Sequence, residues 1–128
     1  MRILVVEDEV YVADLICTIL EEMGISCLLA RDAAEADRVL GRSTVDGMTL
    51  DLGLPGTHGL DWLDSLADTN PALARNTLVI TGMPLERRAA ERAARHGAGV
   101  LAKPFTVDAL QEAFVTHVLK DAVVEPAD

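Results

Sequence analysis

Short apolar runs and stretches of helical periodicity alternate along the whole chain, and that alternation limits the folds open to it. Parallel strands need crossover connections, and helices laid on both faces of the sheet supply them. Ile3-Leu4-Val5-Val6 is apolar throughout and rich in β-branched residues, as a strand covered on both faces requires. Val10, Ala13, Ile16, Cys17, Leu20 and Met23 then recur at helical spacing and stop at Gly24. Ser26 to Ala30 fits a second strand. Asp32 followed by Glu35 resembles a capping box opening a helix that ends near Leu40-Gly41. Val45 to Leu52 fits the third strand, with Asp46 and Gly47 blurring its start. Pro55, Gly56 and Gly59 make a loop, and Leu60, Leu63 and Leu66 give a third helix with Trp62 alongside. Thr77 to Thr81 fits the fourth strand. Pro84 suits a first helical turn, and Leu85 to His96 follows as a charged helix ended by Gly97. Val100 to Ala102 is a brief fifth strand, and Thr106 caps a last helix through about Leu119.

The spacing therefore predicts five strands and five helices in strict alternation, an α/β, doubly wound parallel sheet. With 128 residues the chain suits one domain, taken as 1–120 with 121–128 a loose C-terminal tail. The charge is −10, from 11 basic and 21 acidic residues. Such a surface repels phosphate backbones and anionic lipid, which opposes direct nucleic-acid or membrane binding. No apolar run approaches the roughly 20 residues of a membrane span, and the N-terminus lacks a signal-peptide pattern, so the expectation is a cytoplasmic protein. Cys17 and Cys27 lie in apolar stretches without zinc-like or Cys-x-x-Cys spacing and read as reduced, buried small hydrophobes.

Open sheets of this kind bind ligands beyond the carboxyl ends of their strands. Glu7, Asp8 and Glu9 follow the first strand, Asp51 ends the third, Thr81 the fourth, and Lys103-Pro104 the fifth. The second strand ends in Arg31-Asp32 with no such cluster, as suits an edge. Carboxylates crowded on one rim repel one another unless a cation joins them. A hard, oxygen-liganded ion such as Mg²⁺ is the natural partner, and an ammonium and a hydroxyl beside it supply donors to a phosphoryl group. The set suits metal-assisted phosphoryl chemistry with a carboxylate nucleophile. Glu9 reads as a helix-start acid rather than a ligand. Gly53, Gly56 and Gly59 have the wrong spacing for a dinucleotide fingerprint. His58, His96 and His117 are scattered and read as surface or packing residues.

At these residues the sequence resembles the receiver domain of two-component response regulators. The pieces are Leu4-Val5-Val6-Glu7-Asp8-Glu9, then Leu50-Asp51-Leu52-Gly53-Leu54-Pro55-Gly56 with Gly59-Leu60, then Val79-Ile80-Thr81-Gly82, then Leu101-Ala102-Lys103-Pro104-Phe105. The resemblance covers nearly the whole chain and implies a flavodoxin-like sheet of order 2-1-3-4-5. It makes Asp51 the acceptor of a phosphoryl group from a partner histidine kinase, a phosphotransfer protein or a small phosphodonor. Asp8, Asp51 and the backbone carbonyl of Gly53 would ligate Mg²⁺, with Glu7 helping through a water. Lys103 would pair with the phosphoryl oxygens, and Thr81 would turn its hydroxyl onto them. Lys-Pro is usually a cis peptide in that family, which would fix the angle of Lys103. The resemblance implies a regulatory phosphoacceptor rather than an enzyme, with self-phosphorylation from small donors and self-dephosphorylation.

Val100 stands where the family often has Tyr or Phe, so a rotating ring cannot be the switch here; the expectation is that Thr81 and the loop after it carry the signal to a downstream protein target. Arg87, Arg88, Arg92 and Arg95, interspersed with Glu86 and Glu91, make a helix that is either a salt-bridged surface or a dock for an acidic partner. Ala98-Gly99 replaces the acidic pair of a common dimer face, which suggests a monomer or weak homodimer. Gly53 and Met83 are expected to tune hydrolysis. The chain reads as a single-domain regulator, or as a receiver excised from a longer protein. A haloacid-dehalogenase-like phosphatase would need an acid at Gly53, and a flavodoxin-like cofactor binder would not place Glu7-Asp8-Glu9 against a phosphate. A receiver-like scaffold that is never phosphorylated is the remaining alternative.

Overall fold

The computed structural model describes residues 1–56, 58–82 and 87–119, and of Arg87 and Arg88 the backbone alone. Expectations for Met83, Pro84, Leu85, Glu86 and the tail from Lys120 lie outside the described residues. Strands β1 (Arg2–Val6), β2 (Ser26–Ala30), β3 (Gly47–Leu50), β4 (Thr77–Thr81) and β5 (Gly99–Ala102) form one parallel sheet in the order β2-β1-β3-β4-β5. The helices are α1 (Val10–Glu22), α2 (Ala33–Arg42), α3 (Gly59–Thr69), α4 (Pro71–Arg75), α5 (Arg87–Arg95) and α6 (Val107–His117).

Strand residues alternate between two apolar layers, because successive side chains leave a strand on opposite faces. Leu4, Val6, Met48, Leu50 and Val79 pack with Ala33, Ala36 and Val39 of α2, Leu60 and Leu63 of α3, Leu73 of α4 and Ala93 of α5. Ile3, Val5, Leu78 and Ile80 pack with Ala13, Ile16 and Leu20 of α1 and with Leu110 and Phe114 of α6. The sheet is therefore covered on both faces, and the buried polar side chains within β3 and β4 are threonines, Thr49, Thr77 and Thr81.

Most expected boundaries hold, and the exceptions have local causes. The described residues contain six helices where five were expected. The extra one is α4, where Asn70 accepts the Leu73 N–H at 3.2 Å and Pro71 opens the helix. Five residues are too few to show a periodicity, although Asn followed by Pro is a helix-start signal. The third strand is shorter than Val45 to Leu52. Asp46 accepts the Arg2 N–H on its side chain at 2.8 Å while its own N–H donates to the Arg2 carbonyl at 2.8 Å, and Leu52 already turns toward α3. The caps at Asp32, which accepts the Glu35 N–H at 2.7 Å, and at Thr106, which accepts the Ala109 N–H at 3.0 Å, form as expected. Gly24 ends α1 with φ of 82°, the left-handed conformation that favours glycine.

Thr49 is the exception within the core. It pairs in register with Val5 and Leu78, is buried, and its hydroxyl has no hydrogen-bond partner among the described residues. A buried, unbonded hydroxyl costs free energy that a methyl of the same shape does not. Thr49→Val is expected to stabilise the fold by about 1 kcal/mol, seen as a higher urea midpoint; a lower midpoint would show that the hydroxyl is satisfied.

Candidate functional site

Four strand ends meet on one rim. The Glu7 N–H donates to the Ala30 carbonyl at 3.0 Å and the Asp51 N–H to the Val6 carbonyl at 3.0 Å, so both acids continue their strands by one residue. Glu7 is 3% exposed and Asp51 7% exposed, whereas Asp8 lies further toward solvent. One carboxylate oxygen from each of Glu7, Asp8 and Asp51 can be chosen so that all lie within 4.8 Å of one another. The Lys103 N–H donates to the Thr81 carbonyl at 2.9 Å, and the Lys103–Pro104 peptide is cis. From there the Lys103 ammonium donates to Glu7 Oε1 and stands 3.6 Å from Asp51 Oδ2. Asp51 Oδ1 accepts the Gly53 N–H at 3.1 Å. Asp8, Glu9, Asp51, Gly53, Gly82 and Lys103 line a cavity of about 240 Å³ open to solvent.

The expected residues Glu7, Asp8, Asp51, Gly53 and Lys103 are thus brought together. Thr81 is buried at the end of β4, beside Ala102 in register, and is not part of the cavity wall. Glu9 is the residue before α1 and lines the cavity from its exposed side. Val100 is half-buried and packs into the α2–α5 layer. His58 is more than surface: it caps α3, its Nδ1 accepting the Leu60 N–H at 3.3 Å. Arg92 donates to Asp61 at 2.8 Å and Asp64 at 2.6 Å, and His96 bonds Asp64 at 2.6 Å, so Arg92 follows the salt-bridged reading of its helix.

Sequence reasoning missed the role of Gly59. A Cβ there would lie 2.8 Å from Leu52 Cα and 3.0 Å from the Asp51 carbonyl, so α3 begins in direct contact with the backbone that presents Asp51. The signal was a glycine at a first helical position, where propensity favours other residues.

The carboxyl groups do not share charge evenly. Glu7 is pushed up to about 8, first by burial and then by its hydrogen bond with Asp51, which outweigh the pull of Lys103. Burial also acts against the Asp51 carboxylate, but the hydrogen bonds from Glu7 and Gly53 and the charge of Lys103 hold its pKa below the ordinary value. Burial opposes the Lys103 ammonium in turn, and Glu7 and Asp51 overcome it, raising its pKa. Glu7 Oε2 meanwhile is buried with no partner among the described residues. Three hard oxygen donors and an orphaned carboxylate oxygen fit a divalent cation such as Mg²⁺.

A model of the response regulator receiver domain matches residues 3–115. The chain belongs to this family. Among solved structures, a CheY-like receiver domain from Methanospirillum hungatei shares the fold at TM-score 0.83 and 22% identity, over 93% of this chain and 94% of the other. NtrX from Brucella abortus matches at TM-score 0.77 and 32% identity over 93% of this chain, which spans 28% of that protein. A response regulator from Burkholderia pseudomallei, whose structure holds a phosphorylated aspartic acid, a calcium ion and citrate, matches at TM-score 0.78 and 29% identity, over 93% and 69% of the two chains. No curated protein matches. Among the described residues, no helix of this receiver domain is long and apolar enough to cross a membrane.

A pH dependence follows from Glu7. A glutamate ordinarily titrates at 4.5, so between that value and about 8 the unfolded chain has lost a proton that the folded receiver domain keeps. The contribution is complete at low pH and is lost as pH rises through the window, because the native state binds more protons. The melting temperature of the metal-free domain is therefore expected to fall from about pH 5 to 8 by more in wild type than in Glu7→Gln. Equal slopes in the two proteins would contradict this.

Proposed function

We propose that the domain is a two-component phosphoacceptor whose Asp51 takes a phosphoryl group in a Mg²⁺-dependent reaction. The observation that carries the reading is an acid-lined cavity in which Asp51 stands between carboxylates suited to a cation and the ammonium of Lys103. Asp8 and Asp51, with the Gly53 carbonyl and Glu7 through a water, would hold Mg²⁺, which supplies charge neutralisation for the phosphoryl oxygens. Asp51 attacks the phosphorus with one carboxylate oxygen, forming an acyl phosphate as the bond from phosphorus to the donor breaks and the donor's imidazole or carboxylate leaves. The Gly53 N–H orients the carboxylate. Lys103 balances charge on the transferred group, exchanging part of its contact with Glu7 for the new oxygens. Thr81 turns its hydroxyl toward the phosphoryl group and passes the change to the surface formed with α5, where a downstream protein target reads it. The phosphorylated aspartate and calcium ion of the Burkholderia relative support this assignment. The acidic surface suits work in the cytoplasm with protein partners, as monomer or weak homodimer, and self-dephosphorylation by water in the same cavity ends the signal.

A histidine kinase or phosphotransfer domain is the donor proposed for this site. Val10, Tyr11 and Leu15 on α1 and Val107 on α6 are exposed, Tyr11 to 90%, and Leu15 lines a cleft with Val12, Pro104 and Phe105 that shares Glu9, Gly82 and Lys103 with the acidic cavity. Exposed apolar residues grouped at the edge of a reactive cavity fit a helical protein donor that must bring its phosphohistidine to Asp51. Tyr11→Ala combined with Leu15→Ala is expected to slow transfer from the sensor kinase that labels wild type fastest by at least about tenfold. Labelling by acetyl phosphate should be unchanged. Equal loss with both donors would place the defect in the site rather than in docking.

Trp62 gives a direct assay of the reading as a whole. It is the only tryptophan in the sequence, buried one turn into α3, where its indole N–H donates to Asp37 at 3.0 Å. Titration with Mg²⁺ and then acetyl phosphate should change its fluorescence in two saturable steps, the second absent without metal. A flat response to both, in a protein shown by mass to be unlabelled, would oppose the proposal.

A further inference from the structure

The second feature with chemistry of its own lies away from the acidic cavity, where α1 and β2 turn back on each other at Gly24. A helix advances about 1.5 Å per residue and a strand about 3.3 Å, so Cys17 on the descending helix and Cys27 on the returning strand reach the same height, about 10 Å from Gly24. Cys27 pairs in register with Ile3, whose side chain belongs to the layer under α1, and Cys17 belongs to that layer as well. Both thiols are free, and each is the strongest influence on the other's ionisation. Cys17 is buried, and Cys27, on the edge strand, is partly open to solvent.

We propose that Cys17 and Cys27 form a reversible disulfide when the protein meets a small-molecule disulfide oxidant such as oxidised glutathione. The pair is polarised for this chemistry. Interaction with Cys27 and then burial push the Cys17 thiol up, while the same interaction, against the effect of burial, holds Cys27 below its ordinary value. Cys27 is thus both the more accessible and the more readily ionised sulfur. Its thiolate attacks one sulfur of the oxidant, forming a mixed disulfide and expelling one small thiolate. Cys17 then gives its proton to that thiolate and attacks the Cys27 sulfur, forming the internal bond and expelling the second small thiolate, which takes up the proton that Cys27 released to solvent. Two protein thiols are oxidised and one disulfide is reduced to two thiols. Closing an S–S bond of about 2.05 Å requires the two side chains to rotate toward each other between α1 and the strand. The bond would tie α1, with its exposed Tyr11 and Leu15, to the edge of the sheet.

The test is intact mass and non-reducing peptide mapping of the folded protein after exposure to oxidised glutathione. Wild type is expected to lose two hydrogens and give one peptide pair joined through Cys17 and Cys27, reversed by dithiothreitol. Cys17→Ala should stop at one glutathionyl group on Cys27, and Cys27→Ser should remain unmodified under the same exposure. A wild type that stays reduced, accumulates the mixed disulfide without closing it, or links between chains would overturn the proposal. Because the wild-type map needs no variant, the outcome does not depend on either substitution folding.

Discussion

Asp51→Asn is expected to abolish phosphoryl acceptance completely and, in the absence of metal, to make the fold more stable by about 1 kcal/mol. The two effects have one cause. The carboxamide keeps an oxygen for the Gly53 N–H, so the local backbone is undisturbed, but it is too poor a nucleophile to form an acyl phosphate. It also removes one of three clustered carboxylates. Glu7, raised first by burial and then by Asp51, is released from the second of these and pairs more strongly with Lys103. The loss of the Lys103–Asp51 attraction at 3.6 Å offsets only part of this gain. Urea denaturation in the presence of a chelator measures the stability, and acetyl phosphate labelling measures the function. A destabilised Asn variant would mean that Lys103, rather than repulsion among acids, dominates the metal-free site.

Gly59→Ala is expected to have the largest cost of any single-methyl change near the site, about 2 kcal/mol of stability and about tenfold in phosphorylation rate. In an ordinary helix the change would help by about 0.5–1 kcal/mol. Here the added methyl would meet Leu52 Cα at 2.8 Å, the Asp51 carbonyl at 3.0 Å and Leu52 Cδ2 at 3.1 Å. Two of those atoms are backbone and cannot rotate away, so either α3 or the strand end presenting Asp51 must shift. A shift of the backbone holding the nucleophile misaligns Asp51 with Lys103 and with the acids of β1. Urea midpoints read the first effect and the initial rate of acetyl phosphate labelling the second. An unchanged labelling rate beside a lowered midpoint would show that α3 alone moves.

The sheet was legible in the sequence because its central strands are buried on both faces and so read as largely apolar runs, as Ile3 to Val6 and Leu78 to Ile80 do. The site was legible because the strand ends interrupt those runs with the few residue types that do not belong in a core. Asp51 beside Leu50 and Leu52 is the clearest case. What was not legible depends on packing between distant segments. Nothing local to Gly59 says that α3 touches the Asp51 carbonyl, and nothing local to Arg92 says that Asp61 and Asp64 face it. Helix α4 escaped because five residues carry a cap but no period. The edge strand β2 was placed from its polar end, Arg31-Asp32, yet its Cys27 was read as a buried hydrophobe when it lies partly open beside Cys17.

The central claim is that Asp51 accepts a phosphoryl group through a metal-dependent reaction, and intact mass after incubation with Mg²⁺ and acetyl phosphate tests it most directly. The account predicts a gain of one phosphoryl group, mapped to Asp51, absent in Asp51→Asn and absent when the metal is chelated. No gain from acetyl phosphate or from a labelling-competent histidine kinase, or a gain mapped to another residue, would contradict it and leave the domain as a receiver-shaped interaction scaffold.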